Sequence, residues 1–203
     1  MEEDAVVRTT AAYDGIAPVF AERNERPGEP FLAFRGRFAA ALPPGPVADL
    51  GCGPGRDATW FRGRGLRALG VDRSAGMARV AADRGVPVVL GDLRRPPLAP
   101  GSLAGLWSVA ALLHVPAADT GPTLRAWAAA LRPGGVLGLS TSAGDGEGWE
   151  FQGHGTELVR YYVHRTPDAL LAALDAAGFE VTEHGLSTGH RTWLSVLAVR
   201  REV

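Results

Sequence analysis

Short apolar runs alternate with longer amphipathic stretches along most of the chain, from about residue 47 to its end. Apolar runs of four to eight residues between turn signals predict strands, and apolar residues at a spacing of three or four predict helices. The predicted strands cover residues 47–50, 66–71, 86–90, 103–109, 136–141, 179–185 and 192–199. The predicted helices between them cover residues 56–64, 74–84, 117–131 and 167–177.

Strands that alternate with helices indicate an α/β fold with a mostly parallel sheet and helices on both faces. The short link at residues 187–191 predicts that the last two strands form a hairpin, so that the last strand is antiparallel. Two further helices, near residues 6–23 and 31–42, precede the first strand. We therefore expect one seven-stranded domain over residues 1–203, with a helical cap at 1–45 and an α/β core at 46–203.

Composition narrows the class of protein. The chain has 203 residues, 46% hydrophobic, with a formal net charge of −1, so no global field attracts nucleic acid or an anionic membrane. Its basic residues are all arginine, which rules out a lysine base. The single cysteine, Cys52, excludes an internal disulfide. No apolar signal core begins the chain, and the longest apolar run, 103–115, is too short to span a bilayer, so we expect a cytoplasmic protein.

The stretch around residues 47–55 is the most informative part of the sequence. An apolar strand containing Asp49 runs into three glycines at alternate positions, Gly51, Gly53 and Gly55. Glycines permit a sharp turn and let the backbone approach a ligand, and the following helix offers free N–H groups. A dinucleotide fingerprint, G-x-G-x-x-G/A, is the rival interpretation, but its last small position is Arg56. The carboxylate of Asp49 also disfavours a pyrophosphate and suits a cationic ligand.

Two more acidic residues follow the next two predicted strands. Asp72 ends the second strand, 21 residues after Gly51, where a carboxylate can bind both hydroxyls of a ribose. Asp92 follows the third strand in a Gly-Asp pair. A helix cap or a plain turn would also explain an Asp at such positions. With the glycine turn, they favour a nucleoside cofactor.

These segments resemble the motifs of the class I S-adenosylmethionine (SAM)-dependent methyltransferases, and especially of those that act on small molecules. The resemblance rests on D-x-G-x-G-x-G at 49–55, G-V-D-R-S at 70–74, G-D at 91–92 and L-R-P-G-G at 131–135. It covers about residues 47–141 and implies a Rossmann-like fold with SAM as cofactor and S-adenosylhomocysteine (SAH) as product. The stretch from Tyr13 to Arg23 is similar to an amino-terminal helix of the same enzymes, although Phe20 replaces a second tyrosine.

The resemblance also implies which residues meet the cofactor. They are Tyr13, Asp49, Gly51, Cys52, Gly53, Gly55, Asp72, Arg73, Met77, Asp92, Leu93, Ser108 and Val109.

Candidate catalytic residues are less well defined by the sequence. His154, in a glycine-rich loop predicted at 144–155, is the first candidate for a general base because that loop follows the fifth strand, at the ligand-binding edge of the sheet. His114 is the second candidate, although it is often structural in related enzymes. His164 is a third candidate, and the carboxylates of Asp145, Glu147 and Glu150 stand behind the histidines. No histidine pair has helical metal-ligand spacing, so we expect no metal.

The acceptor pocket is expected between the amino-terminal helices, the stretch after the fourth strand and the segment at 144–165. Aromatic residues of that segment could form its walls, a lid over the cofactor, or ordinary packing; they are Trp149, Phe151, Tyr161 and Tyr162. Arg160 or Arg165 could contact an anionic group of the acceptor.

We therefore expect a SAM-dependent methyltransferase that acts on oxygen, nitrogen or carbon of a small metabolite, with specialised-metabolite biosynthesis as a plausible setting. A non-catalytic SAM- or SAH-binding module on the same fold is the main alternative, and a nicotinamide oxidoreductase is a weaker one. The segment at 107–114 lacks the N/D-P-P-aromatic motif of DNA amino-methylating enzymes, which argues against nucleic acid as a partner. The sequence does not define an oligomeric state.

Overall fold

The structure is a computed structural model that describes residues 4–151, 159–189 and 191–202. Two helices precede the first strand, as the sequence predicts: α1 (Ala5–Arg23) and α2 (Glu29–Ala41). Helix α1 begins where the side chain of Asp4 accepts a hydrogen bond from the Val6 amide, which satisfies one of the free N–H groups of its first turn. Helix α2 has a proline in its first turn, where the missing N–H costs nothing.

The central sheet has seven strands in the order β3-β2-β1-β4-β5-β9-β8. They are β1 (Val47–Leu50), β2 (Ala68–Asp72), β3 (Val88–Leu90), β4 (Leu103–Val109), β5 (Leu131–Ser142), β8 (Phe179–Thr188) and β9 (Thr192–Arg200). Strands β1 to β5 pair in parallel, and β9 is antiparallel to both β5 and β8. The predicted Rossmann-like sheet with an antiparallel last strand is confirmed.

Helices cover both faces of this sheet, as expected, and each face has its own apolar core. The remaining helices are α3 (Arg56–Arg62), α4 (Ala75–Asp83), α5 (Thr120–Ala130) and α6 (Pro167–Ala176), with 3-10 turns at Leu112–His114 and Ala117–Asp119. One core joins Trp127 of α5 and Leu174 of α6 to the sheet. The other packs Phe38 of α2 and Phe61 of α3 around Trp107 of β4. No helix in the described ranges has the length and apolarity that a membrane span requires.

The sequence analysis was wrong about the segment after β5. Its glycine-rich composition predicts a loop, but β6 (Glu147–Phe151) and β7 (Val159–Val163) form a separate antiparallel two-stranded sheet. The opposed side chains of Trp149 and Tyr161 pack edge to face across it, with ring centroids 5.4 Å apart. Such cross-strand aromatic pairs stabilise a pairing that glycine-rich strands would otherwise specify weakly.

Candidate cofactor and active site

The glycine turn after β1 has the backbone conformation that its sequence requires. Gly51, Gly53 and Gly55 have φ values of 71°, 53° and 77°, which residues with a Cβ rarely adopt. A Cβ added to Gly51 would lie 2.3 Å from the Cβ of Ala111. The turn is therefore pressed against the segment that follows β4, and only glycine fits at this contact.

A cavity of about 190 Å³ opens beside this turn, at the carboxyl ends of β1 to β4. Helix α1 and the 3-10 turn at Leu112–His114 also contribute to its wall. Of the described residues predicted to meet the cofactor, all except Gly55 and Ser108 line the cavity. Gly55 instead caps α3 and packs against Ala81, and the hydroxyl of Ser108 points into the sheet and donates to the Leu50 carbonyl oxygen at 3.0 Å. Those two residues support the wall and do not form it.

Asp72 is held in place by backbone amides on both sides. Its Oδ2 accepts from the Gly53 amide at 2.8 Å, and its Oδ1 accepts from the Ser74 amide at 2.8 Å. Burial raises the pKa of this carboxyl group, although the backbone hydrogen bonds act in the opposite direction. Each carboxylate oxygen can accept a second hydrogen bond, so the group can also bind two hydroxyls of a ligand.

Asp49 is a buried acid at the base of the cavity. Its carboxylate is 3% exposed and accepts one hydrogen bond, from the Ala58 amide at 3.2 Å. Burial raises its pKa well above the usual value, and the nearby Asp57 raises it further. A bound cation would compensate this charge.

Asp57, which the sequence analysis did not single out, has a different environment. Its carboxylate accepts from Arg35 at 2.8 Å, from Arg56 at 3.0 Å and from the indole nitrogen of Trp107 at 3.2 Å. It is thus a buried ion pair that fixes α2 and α3 to β4. No spacing along the chain predicts it, because two of its three partners, Arg35 and Trp107, are 22 and 50 positions away.

Asp92, at the far end of the cavity, is paired with two arginines. Its Oδ2 lies 2.5 Å from Arg73 Nη1 and 2.8 Å from Arg94 Nη2. Burial tends to raise its pKa, but the hydrogen bonds from Arg94 outweigh burial and lower it. Arg94 also binds Asp4 at 3.0 Å, so this network connects the start of α1 to the cavity.

Helix α1 forms one wall of the cavity with Tyr13 and Phe20, whose rings meet edge to face at 5.5 Å. It is attached to the start of α4 through Asp14, which accepts from the Ser74 hydroxyl at 2.6 Å and from the Gly76 amide at 2.8 Å. The predicted helix at 6–23 is therefore part of the site. Its aromatic side chains line the same cavity as the glycine turn.

A hydrogen-bonded chain links Tyr13 to His114, the second predicted catalytic residue. Nδ1 of His114 lies 2.6 Å from the Tyr161 carbonyl oxygen, which can only accept, so Nδ1 carries the proton. Nε2 therefore accepts from the Tyr13 hydroxyl at 2.8 Å, and Arg160 donates to the same hydroxyl oxygen at 3.0 Å. Burial lowers the pKa of His114 to about 3. The geometry favours a neutral imidazole that orients Tyr13 over one that abstracts a proton.

His154, the first predicted base, lies outside the described residues. His164, a further candidate base from the sequence, lies in a cluster of polar side chains close to β5. His164 Nδ1 is 2.8 Å from the Ser142 hydroxyl, and its Nε2 is 2.5 Å from Glu150. Arg191 pairs with the other oxygen of Glu150 at 2.7 Å. These side chains come from β5, from β6, and from the residues directly after β7 and directly before β9, so only the tertiary fold brings them together.

The predicted aromatic residues of β6 and β7 are not among the described residues that line the cavity. Trp149 lies under the guanidinium of Arg8 at 4.3 Å, and Phe151 is 61% exposed. Tyr162 packs against His114 with ring centroids 4.8 Å apart. They therefore do not form the walls of this cavity, which was one of the alternatives that the sequence left open.

One residue of the cavity wall has a strained backbone. Ala110, directly after β4, has a φ of 55°, the left-handed region that non-glycine residues occupy at a cost of about 1–2 kcal/mol. Its amide is fixed by the Ser140 carbonyl oxygen at 2.9 Å. Such strain is characteristic of functional sites. Within the described ranges, no group of three or more His, Cys, Asp or Glu residues could hold a metal ion.

The residues present fit SAM. A buried carboxylate whose pKa is raised, Asp49, suits the cationic end of this molecule, and Asp72 offers free acceptor sites to a ribose. At Gly53, a lining residue of the cavity, an added Cβ would meet no atom within 4 Å, so the glycine leaves that space open to a ligand.

The fold and this site are similar to those of the class I SAM-dependent methyltransferases. Residues 47–135 match a family described as a methyltransferase domain, and the resemblance found from the motifs is confirmed. The prediction of SAM as cofactor is confirmed at the level of this domain. No sequence among curated proteins matches the chain.

Solved structures show the same fold at low sequence identity. A DhpI–SAH complex is 21% identical over 100% of both chains, with a TM-score of 0.75. A SAM-dependent methyltransferase from Methanosarcina mazei is 16% identical, with a TM-score of 0.74, and the match covers 81% of this chain and 96% of that one. The [4+2]-cyclase SpnF is 16% identical over 94% of each chain, with a TM-score of 0.72.

Proposed function

We propose that the protein is an enzyme that transfers the methyl group of SAM to oxygen, nitrogen or carbon of a small metabolite. The observation that carries the proposal is the convergence of three carboxylates on one cavity beside a glycine turn. Asp49, Asp72 and Asp92 come from the ends of three neighbouring parallel strands. Their different environments suit the three chemically different parts of SAM.

In this proposal each acid holds one part of the cofactor. Asp49 and the turn at Gly51 and Gly53 hold the cationic amino-acid end, because a buried carboxylate is stabilised by an opposite charge. Asp72 accepts hydrogen bonds from the ribose hydroxyls. Asp92 and Leu93 lie at the adenine end. When bound, SAM supplies a methyl group on an electrophilic sulfonium.

The chain's own contribution is mainly orientation. Tyr13, fixed from two sides by His114 and Arg160, presents a rigid polar wall to the cavity. Holding two reactants in line can supply roughly 7–11 kcal/mol of barrier reduction without any proton transfer. With a pKa of about 3, His114 is a poor base near neutral pH, so we assign it to the positioning of Tyr13. His154 stays a candidate base from the sequence alone.

A small acceptor stays a prediction from the sequence, which leaves no room for a large inserted cap between the elements of the α/β core. The cavity of about 190 Å³ lies between α1 and the carboxyl edge of the sheet and is lined by the residues assigned to the cofactor. The formal net charge of −1 argues against nucleic acid as a partner. A cytoplasmic location, a role in specialised metabolism and the single-domain organisation with a cap at residues 1–45 stay predictions.

Methyl transfer is tested by incubating purified protein with SAM that carries an isotopic label on its methyl group, together with a small-molecule extract and a panel of alcohols, amines and activated carbon acids. We expect label in an extractable small product and stoichiometric SAH. An Asp72→Ala variant is the control that removes cofactor binding. Binding of SAM with no transfer to any fraction would contradict the proposal.

A cofactor-binding protein without methyl transfer is the second candidate function. The observation that favours it is the weak base at His114, together with a structural relative whose name is that of a cyclase. The same experiment separates the two functions, because a binding module retains SAM affinity and forms no labelled product.

A further inference from the structure

Three largely buried arginines, Arg160, Arg165 and Arg191, differ in how many of their N–H groups have a hydrogen-bond partner. Arg165, which is buried, donates to the carbonyl oxygens of Leu112 and Val115 and to the Thr120 hydroxyl. Its remaining nitrogen, Nε, also reaches the Thr120 hydroxyl, at 3.2 Å. All three guanidinium nitrogens of Arg165 are therefore satisfied by the protein, which leaves no edge for a ligand.

Arg191 is also satisfied. Its Nη2 pairs with Glu150 at 2.7 Å, and its Nη1 donates to the Ser142 hydroxyl at 3.1 Å. Its guanidinium carbon lies 4.4 Å from the centre of the Tyr162 ring. This arginine is neutralised by a carboxylate and held against an aromatic face.

Arg160 is the exception among the three. Arg160 is 2% exposed, and its Nη1 donates to the Tyr13 hydroxyl at 3.0 Å. Its Nε and Nη2 are buried and have no hydrogen-bond partner among the described residues. These two nitrogens form the side-on edge of a guanidinium, whose parallel N–H groups match the two oxygens of a carboxylate or a phosphoryl group.

No acid among the described residues forms an ion pair with Arg160. Glu150 is its cross-strand neighbour between β6 and β7, but the two oxygens of Glu150 face His164 and Arg191. Arg160, Arg191 and Glu150 together carry a net positive charge. The rings of Tyr13 and Tyr162 lie 5.0 and 5.8 Å from the guanidinium carbon of Arg160 and offset only part of its desolvation.

A buried guanidinium with two unpaired donors is costly to the fold, because each donor has given up its bonds to water. Arg160 also lies directly behind the cavity wall, since its partner Tyr13 lines that cavity. The geometry points to Arg160 as the binding residue for an anionic group, a carboxylate or a phosphoryl-type group, on the methyl acceptor. This inference rests on the proposed function and narrows its acceptor to anionic metabolites.

Entry of the anion requires a side-chain movement, because the free edge of Arg160 is covered by surrounding atoms. Tyr13, which lines the cavity and accepts from Nη1 of Arg160, is the residue that connects Arg160 to the cavity. Two parallel N–H groups then bind two oxygens of the anion, and the charge of Arg160 is neutralised. The tyrosine hydroxyl keeps its bond to His114 in this arrangement.

The test uses inorganic phosphate and acetate as probes, each titrated into the purified protein at constant ionic strength with chloride as the balancing ion. The midpoint of thermal unfolding is recorded with and without saturating SAH. We expect phosphate, acetate or both to raise the midpoint of the wild type more than chloride does. A response to phosphate alone indicates a phosphoryl group on the acceptor, and a response to acetate alone indicates a carboxylate.

Three variants give the controls. Arg160→Gln removes the charge and should weaken the anion response at least tenfold, and Arg160→Lys, which keeps a charge but loses the fork, should weaken it by a smaller factor. Arg165→Gln should lower the midpoint without SAH and keep the anion response. If Arg160→Gln fails to fold, the comparison of Arg160→Lys with Arg165→Gln decides the matter.

No anion response in the wild type, or an equal response in the wild type and both Arg160 variants, would overturn the inference. The measurement with SAH tests the proposed function independently. If SAH raises the midpoint and the anions do not, the anion site is rejected and the proposed function is still supported. An absent SAH response rejects the proposed function itself.

Discussion

The Tyr13 hydroxyl lies 2.8 Å from Nε2 of His114, although the two residues are 101 positions apart in the chain. This bond joins α1 to the segment after β4 and fixes the wall of the cavity beside the glycine turn. Because Nδ1 of His114 is committed to the Tyr161 carbonyl oxygen, the imidazole has one tautomer and Tyr13 has one hydrogen-bonding direction.

Removing that hydroxyl should reduce activity more than it reduces cofactor binding. Tyr13→Phe leaves the His114 acceptor and one donor of Arg160 unpaired in a buried site, which costs about 1–3 kcal/mol of stability. We expect methyl transfer to fall by roughly 10²-fold while the dissociation constant of SAH changes severalfold at most. Single-turnover transfer and SAH titration measure the two effects.

The double variant Tyr13→Phe with His114→Gln is the control for this prediction. Because both residues belong to one hydrogen-bonded unit, the loss in the double variant should be smaller than the product of the single losses. Fully multiplicative losses would show that the two side chains act independently.

The depressed pKa of His114 predicts a pH dependence of stability. Burial holds its pKa at about 3 in the folded protein, against about 6.5 in the unfolded chain. Below pH 6.5 the unfolded state therefore binds more protons, so this stabilisation is complete above pH 6.5 and is lost progressively as pH falls toward 3. The free energy of unfolding should drop by about 1.4 kcal/mol per pH unit within that window.

Denaturant unfolding at pH 5 and pH 7 measures this effect, and His114→Gln is the matched variant. The glutamine does not titrate, so the pH dependence of the variant should be flatter, even if the variant is less stable at pH 7. The pH profile of methyl transfer between pH 5 and 9 should contain no inflection from His114. Identical pH dependence in the two proteins would contradict the assigned protonation state.

Asp49 and Asp57 should respond oppositely to neutralisation. Asp49→Asn removes a buried charge with one hydrogen bond, so we expect the free energy of unfolding to stay equal or to rise, while SAM affinity falls by tenfold or more. Asp57→Asn leaves Arg35 buried without its counter-charge, which costs about 3–5 kcal/mol.

Chemical unfolding and SAM titration of both variants check this contrast. In Asp57→Asn the main effect should be a lower free energy of unfolding. Any loss of SAM affinity in this variant should be a consequence of that destabilisation. A destabilised Asp49→Asn with normal SAM affinity would contradict the assignment of Asp49 to the cofactor.

Substitutions at two glycines of the turn should separate effects on packing from effects on cofactor binding. Gly51→Ala would place its Cβ 2.3 Å from that of Ala111, so the turn must move and stability should fall sharply. Gly53→Ala meets no atom within 4 Å and faces the cavity, so it should cost only the left-handed strain of about 1–2 kcal/mol.

We therefore expect Gly53→Ala to fold and to lose SAM affinity. Circular dichroism during heating and SAM titration distinguish the two variants. A Gly51→Ala protein as stable as the wild type would mean that the turn does not touch Ala111 as described.

Local sequence patterns predicted the sheet because strand and helix periodicities differ, and because Pro and Gly mark the ends of elements. They also predicted most of the cavity wall, since the carboxyl ends of neighbouring parallel strands meet at one edge. Asp49, Asp72 and Asp92 could be placed there from their positions at strand ends alone.

Other features depend on contacts that no local pattern encodes. The β6–β7 sheet was missed because glycines at 144–155 predict a loop, while its stability comes from the cross-strand pair Trp149 and Tyr161. The ion pair of Arg35 with Asp57 and the unpaired edge of Arg160 likewise arise only when distant segments pack. Buried polar pairing is a property of the tertiary fold.

The most direct test of the central claim is the thermal unfolding midpoint in the presence of SAM, SAH or NADH, each at about a hundred times its expected dissociation constant. A ligand selective for the folded state adds about 2.7 kcal/mol at that ratio, a rise on the order of 5–10 °C for a chain of this size. We predict that rise with SAM and with SAH, none with NADH, and its loss in Asp72→Ala. No rise with SAM or SAH, or a rise with NADH alone, would contradict the claim.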